Sequence, residues 1–165
     1  MTLLVKTIQN ISKQSQFAQT NNYIQHGNTT CLRHTLAVAH YSVRIAKVLG
    51  ISCKTSDLIR GALLHDYFLY DWHSGKNHLH GFTHPSAALC NACKDFNLTE
   101  TEKNIIIRHM FPLTVIPPVT REGWIVCMAD KWCSLRETFS AHPYKHIERW
   151  IALYERTAGI SAVKF

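Results

Sequence analysis

Apolar residues recur at helical spacing through most of this chain, and that periodicity constrains its fold more than any other feature of the sequence. Between Thr30 and Leu49 the apolar positions follow one another at intervals of four and three: Leu32, Leu36, Ala39, Val43 and Ala46. This pattern predicts a helix that buries one face. Hydrophobic residues make up 46% of the 165 residues and charged residues 18%, so we expect one folded domain rather than a disordered chain.

Capping residues indicate where the next helices begin. Thr55 to Asp57 can cap a helix that carries His65 and Asp66 near its end. Thr83 can cap another, with Pro85 in its first turn, where a missing N–H costs nothing. The intervening residues 67–82 are rich in aromatic, His and charged side chains, and we interpret them as a loop at the rim of a site.

Three further helices complete the prediction. A capping box at Thr99 and Glu102 opens a helix that ends near His109, Thr120 can cap the next one, and Pro143 can start the last. The Trp and Ile positions of the last two helices are expected to belong to the core. We find no strand-turn-strand pattern, no repeat and no linker. The sequence therefore predicts an all-α fold, a single compact helical domain of about six or seven helices.

Composition excludes several classes of protein. No stretch of eighteen uncharged apolar residues occurs, and the N-terminus lacks the features of a secretory signal, so we expect a cytoplasmic protein without a membrane span and with reduced thiols. Cys90 and Cys93 form a C-x-x-C pair, but Cys127 and Cys133 are too widely spaced to complete a zinc site. The net charge of +7 favours anionic partners, although no run of five Lys or Arg indicates a nucleic-acid arm.

Six metal-ligating side chains interrupt the apolar helices: His34, His65, Asp66, His84, His109 and Asp130. An aspartate within an apolar helix, such as Asp130 after residues 124–129, needs a cation, a metal or several hydrogen bonds. Imidazole and carboxylate together suit manganese, iron, cobalt or zinc. Four histidines and two aspartates are enough ligands for two metals that share one carboxylate.

The order formed by His34, the dyad His65-Asp66 and Asp130 resembles the HD-domain superfamily of metal-dependent phosphohydrolases. Three local segments are similar as well: Arg33-His34-Thr35, Gly61-Ala62-Leu63-Leu64-His65-Asp66 and Ala129-Asp130-Lys131. The resemblance covers about residues 28–138. It implies one HD-like domain over residues 1–165, with this segment as its core and a C-terminal helix at 143–157 packed on it.

The two remaining histidines, His84 and His109, resemble the branches of the superfamily that bind two metals. Carried over, the first metal is held by His34, His65, Asp66 and Asp130. The second is held by Asp66 as a bridge, together with His84 and His109. Iron or manganese is expected, with zinc, cobalt, nickel or magnesium as alternatives. His78 and His80 stay open as rivals for the second position, and His73 is a further candidate for the pocket wall.

The function implied is hydrolysis of a phosphate ester or anhydride in a nucleotide-like small molecule, by attack of a metal-bridging hydroxide. Besides Asp66, the candidate catalytic residues are Lys131, Arg108 and Lys76 as phosphate contacts, and Asp71 as a proton donor or water organiser. Two alternatives stay open: a metal-binding regulatory or interaction domain without turnover, and a nucleic-acid-binding module. A homo-oligomer is compatible with the sequence.

Overall fold

Seven α-helices dominate the fold in the computed structural model, which describes residues 2–74 and 79–160. The helices are α1 (Leu3–Gln14), α2 (Cys31–Val48), α3 (Thr55–Leu64), α4 (His80–Asp95), α5 (Glu100–Arg108), α6 (Arg121–Phe139) and α7 (Glu148–Thr157). Between α1 and α2 lie a 3₁₀ helix, Phe17–Asn22, and a two-stranded antiparallel hairpin of β1 (Ile24–His26) and β2 (Thr29–Thr30). A second 3₁₀ helix covers Trp72–Ser74. The predicted all-α fold is confirmed.

Helix α2 lies at the centre of the domain. It packs against α3 and α6, while α5 fills the space between α3, α4 and α6. Helices α1 and α7 contact each other, and α7 covers α2 from the other side. Leu36, Leu63, Ile105 and Val126 come from four of these helices and are fully buried in one core. The ends of α3 and α5 and the middle of α6 thereby meet near the start of α2.

Three predicted helix starts are confirmed by their cap contacts. The Thr30 hydroxyl accepts the backbone N–H of Arg33, and the Thr120 hydroxyl accepts that of Gly123. Thr99 and Glu102 form the expected capping box at the start of α5. Each contact satisfies backbone donors that the first helical turn leaves without partners.

Other sequence expectations were wrong in detail. Helix α4 begins at His80 rather than at Thr83, so Pro85 lies inside the helix, and α7 begins at Glu148 rather than near Pro143. The expectation that the chain has no hairpin was also wrong. Strands β1 and β2 have only three and two residues, too few for an alternating pattern to be visible in the sequence. Helix α1 was not predicted.

The tryptophans of the last helices are not core residues. Trp124, Trp132 and Trp150 are 41%, 49% and 46% exposed, whereas Ile125 and Ile151 are buried as expected. Helix α6 therefore has a second apolar face that the domain leaves uncovered. None of the helices in residues 2–74 and 79–160 combines the length and apolar character of a membrane span, and all six cysteines are free thiols.

Gly61 fixes the distance between α3 and α5 just before the His65-Asp66 dyad. A Cβ atom at this position would lie 2.4 Å from Cδ1 and 3.0 Å from Cβ of Ile105, which is fully buried. A methyl group cannot fit unless the Ile105 side chain shifts or the two helices move apart. The small residue is needed here because α5 passes directly over it.

We expect Gly61→Ala to lower the free energy of unfolding by about 1–2 kcal/mol, because overpacking outweighs the better helix propensity of alanine. Chemical denaturation of metal-free protein measures the change. The double variant Gly61→Ala/Ile105→Val removes the Cδ1 atom in the way and should be less destabilised than the sum of the two single changes. Simple additivity of the two changes would contradict this explanation.

Candidate metal centre

The six predicted ligands meet in one buried cluster. His34 comes from α2, His65 and Asp66 from the end of α3, His84 from α4, His109 from the end of α5 and Asp130 from the middle of α6. All six are at most 5% exposed. Three overlapping triads have ligand atoms within 4.8 Å of one another: His34–His65–Asp66, His65–His109–Asp130 and Asp66–His84–His109.

The Asp66 carboxylate lies at the centre of the cluster, with a different pair of histidines at each oxygen. Its Oδ1 is 3.2 Å from Nε2 of His84 and 3.5 Å from Nε2 of His109. Its Oδ2 is 3.3 Å from Nε2 of His65 and 3.6 Å from Nε2 of His34. This is the arrangement of a carboxylate that can bridge two cations.

Asp130 closes the side of the cluster formed by His34 and His65. Its Oδ1 is 3.1 Å from Nε2 of His34 and 3.7 Å from Nε2 of His65. The same oxygen accepts a hydrogen bond from the Ser134 hydroxyl, one turn along α6, and Oδ2 accepts one from Nζ of Lys131 at 3.0 Å.

The Nδ1–H group of every histidine in the cluster is already used. His65 donates to the carbonyl of Ala62, His109 to that of Ile106 and His84 to that of His80, each at 2.8 Å. These carbonyls accept and cannot donate, so each Nδ1 carries a hydrogen, and Nε2 is the atom left to face the cluster. Such contacts behind the ring fix its tautomer and orientation for a metal.

His34 has the corresponding contact with a carboxylate. Its Nδ1–H donates to Glu137 at 2.9 Å, and Glu137 also accepts a hydrogen bond from the hydroxyl of Tyr144. The sequence interpretation missed Glu137. It lies seven residues after Asp130 on α6, two helical turns along the same face, and that spacing could have identified it.

Gln25 of β1 is a second residue that the sequence interpretation missed. Its side-chain amide donates to Oδ2 of Asp66 at 2.6 Å. The hairpin turn is held close to α6, because a Cβ at Gly27 would lie 2.7 Å from the carbonyl oxygen of Glu137 and the φ of Gly27 is +55°. Nothing in the local sequence indicates this contact, which depends on where the short hairpin lies.

The electrostatics of the metal-free cluster favour added positive charge. Burial alone would lower the pKa of His65, but the Asp66 carboxylate outweighs it and raises that pKa to about 9. For His34, burial is likewise outweighed, by Glu137 and Asp130, and the pKa lies well above its ordinary value. Burial would raise the pKa of Asp66, yet the charge on His65 holds it well below its usual range. Burial and the neighbouring His65 lower the pKa of His109 to about 3, so this ring is neutral and its lone pair is available.

The donor set fits a divalent metal. Within the described residues, Nε2 of His65 and Oδ1 of Asp66 are buried without a hydrogen-bond partner. Nε2 of His84 and Nε2 of His109 lie 2.9 Å apart, and each ring uses its Nδ1–H for a backbone carbonyl, so the two Nε2 atoms face each other. Two nitrogens bound at right angles to one metal, with bonds of about 2.1 Å, lie about 3 Å apart.

A cavity of about 610 Å³ opens onto the cluster. Asp66, His84, His109 and Asp130 form its floor, and its walls include Gln25, His26, Trp72, His73, His80, Met110, Lys131 and Ser134. Its volume lies within the range of small-molecule sites, roughly 300–1,000 Å³. The rings of Trp72 and His80 are stacked with their centroids 4.8 Å apart, and His80 stacks in turn on His84.

Of the other predicted site residues, some line the cavity and some do not. Lys131 lines the cavity and donates to the carbonyl of His109 at 2.9 Å. Arg108 and Asp71 are not among the described residues that line it, and the Asp71 side chain is 58% exposed. Lys76 and His78 lie outside the described residues. His73 lines the cavity wall, as does His80, which is outside the three triads and is held by the Tyr70 hydroxyl at 2.9 Å.

Comparison with known proteins agrees with this geometry. The HD domain family matches residues 31–134, which is more than half of the chain and includes all six cluster residues. The chain therefore belongs to the HD domain family. No curated protein and no solved structure gives a significant match.

We expect Glu137→Gln to weaken metal binding by about 10–100-fold, the usual cost of removing a partner behind a metal-binding histidine. The amide keeps the shape of the carboxylate, but its N–H₂ group can face Nδ1 and so favours the tautomer with hydrogen on Nε2. Competition with a chromogenic chelator measures the affinity. Glu155→Gln makes the same change at the ion pair with Arg33 and should leave the affinity unchanged. Equal affinity in Glu137→Gln and wild type would contradict the role of Glu137.

Proposed function

We propose that this chain is a metal-dependent phosphohydrolase that cleaves a phosphate ester or anhydride in a nucleotide-like small molecule. Two divalent ions would be held by His34, His65, Asp66 and Asp130 on one side and by Asp66, His84 and His109 on the other. The observation that carries the proposal is the central carboxylate of Asp66, whose two oxygens face two separate pairs of histidines. Membership of the HD domain family supports it.

When bound at these residues, two divalent ions would supply an activated water at neutral pH and would offset the charge of the phosphate oxygens. The chain itself positions and encloses the substrate. The Lys131 ammonium is held at the cavity wall by Asp130 and by the carbonyl of His109, and it offers its third N–H to a phosphate oxygen. Because phosphoryl transfer depends mainly on position and charge, no nucleophilic side chain is needed.

The wall of the cavity that contains Trp72 suits a flat group attached to the phosphate. Trp72 lines the cavity there together with His73 and His80, whose rings contact its own, and its indole N–H is buried without an acceptor among the described residues. A base or similar ring can contact this surface while its phosphate lies on the metals. Arg108 and Asp71 are left out of this mechanism because they are not among the described residues that line the cavity, and Lys76 stays a prediction.

The test combines metal content with turnover. Purified protein is reconstituted with iron(II), manganese(II), cobalt(II) or zinc(II), analysed for bound metal, and assayed for phosphate release from nucleotides, dinucleoside polyphosphates and sugar phosphates. We expect about two metals per chain and turnover with at least one substrate class. Lys131→Met should raise KM for that substrate, whereas Lys145→Met on the exposed surface should not. Bound metal without turnover on any substrate would favour the regulatory alternative, and absence of metal would overturn the proposal.

A further inference from the structure

Helix α6 has two apolar faces, and the domain covers only one of them. Ile125, Val126, Ala129 and Cys133 are buried in the core. On the opposite side, large apolar residues recur at intervals of four, four, three and four: Trp124, Met128, Trp132, Leu135 and Phe139, all between 41% and 80% exposed. A helix with apolar residues on two opposite faces is normally buried on both of them.

The preceding loop extends this surface. The rings of Phe111 and Trp124 are in contact, with centroids 5.4 Å apart, and the thiol of Cys127 donates to the carbonyl of Phe111. The loop therefore lies beside the first half of α6. Four large apolar residues of this loop are exposed as well: Leu113, Val115, Ile116 and Val119. We call these four and the five α6 residues the α6 outer surface.

The charged residues of α6 are already engaged within the chain. Arg121 and Glu122 bond to the backbone of Ser52 and Lys54, Asp130 and Glu137 belong to the histidine cluster, and Lys131 bonds to Asp130. Arg136 donates to the carbonyl of Pro143 and lies over the ring of Trp132. An anionic partner would find little free charge on this helix, so the surface suits an apolar occupant.

The area is that of a protein interface. These nine large residues, 41–86% exposed, present on the order of 1,000 Å², whereas the largest apolar patch of a typical monomer is roughly 300–600 Å². A standard interface buries about 800 Å² on each partner. The aromatic and Met content is also typical of interface centres.

We propose that the α6 outer surface is the dimer interface of this protein, occupied by the same surface of a second copy. A straight stripe of about 22 Å along one helix is self-complementary across a two-fold axis. An antiparallel arrangement brings Trp132 of each copy near the axis, sets the Trp124 end against the Phe139 end and opposes the helix dipoles. The charged side chains of α6 already bond within their own chain, so none of them has to find a partner across the two-fold axis.

Sedimentation equilibrium of the full chain tests the proposal. We expect a dimer at micromolar concentration, and a dissociation constant at least 100-fold higher for Trp132→Glu/Leu135→Glu. Trp132→Ala removes apolar area at the centre without adding charge and should weaken the dimer by about 10-fold or more, the scale of a central aromatic contact. Circular dichroism should show the same helix content in all variants.

The matched control is Val48→Glu/Leu49→Glu, which adds two carboxylates at exposed apolar positions at the end of α2. It should dimerise like wild type. Three outcomes would overturn the proposal: a monomeric wild type at several hundred micromolar, a dimer that survives Trp132→Glu/Leu135→Glu, or equal dissociation in the control. Co-sedimentation of monomeric wild type with neutral phosphatidylcholine vesicles, lost in Trp132→Glu/Leu135→Glu, would assign the surface to a lipid interface instead.

Discussion

Replacing Asp66 with asparagine is expected to abolish hydrolysis and to remove most of the bound metal in the same variant. The amide matches the carboxylate in shape, but it is neutral and has only one acceptor oxygen for the two pairs of histidines that face Asp66. We expect kcat/KM to fall by at least about 1,000-fold, equivalent to about 4 kcal/mol of transition-state stabilisation. Elemental analysis and a phosphate-release assay on the same preparation measure the two effects.

The matched control for this variant is Asp95→Asn. Asp95 is an exposed carboxylate that accepts a hydrogen bond from the hydroxyl of Tyr67 and is not among the described residues that line the cavity. It should keep both metal content and turnover. An Asp66→Asn protein that is folded, loaded with two metals and active would refute the bridging role of Asp66.

Replacing His109 with alanine is expected to remove one metal and leave the other. His109 faces Oδ1 of Asp66 together with His84, whereas His34, His65 and Asp130 remain intact around the other side of the cluster. We therefore expect the metal content to fall from about two to about one per chain, and kcat to fall by about 100-fold or more because one of the two charges at the phosphate is lost.

His109→Gln serves as a second variant that leaves a smaller void, so that a loss of stability can be separated from a loss of metal. His142→Ala, at an exposed position, controls for the removal of a histidine. Loss of both metals in His109→Ala, with the fold intact, would show that the two positions do not bind independently. Retention of both would place the second metal elsewhere.

The sequence predicted those site residues that short local patterns identify. The His65-Asp66 dyad follows an apolar helix, and Asp130 follows another, so both had to face something that compensates for their burial. The capping residues Thr99 and Thr120 also stood at readable positions, but the cap expected within Thr55 to Asp57 was wrong, because α3 begins after Lys54 without a side-chain cap. These features depend on neighbours within one or two helical turns.

The parts that were missed depend on contacts between distant segments. Gln25 reaches Asp66 from a hairpin of five strand residues, and Glu137 reaches His34 from the far end of α6. Periodicity alone could not show that Trp124 and Trp132 face outwards, because α6 is apolar on both sides and the sequence does not say which side meets the domain. The start of α4 was misplaced because Thr83 and Pro85 resemble the beginning of a helix.

Two of the cluster histidines are also the C-cap residues of helices. His65 and His109 use carbonyls in the final turns of α3 and α5 to orient their rings. If either turn frays, its imidazole rotates away from the cluster. Metal affinity and helix-end order are therefore thermodynamically linked: loading the site should slow amide hydrogen exchange at the ends of α3 and α5, and loosening those turns should release metal without any change to a ligand.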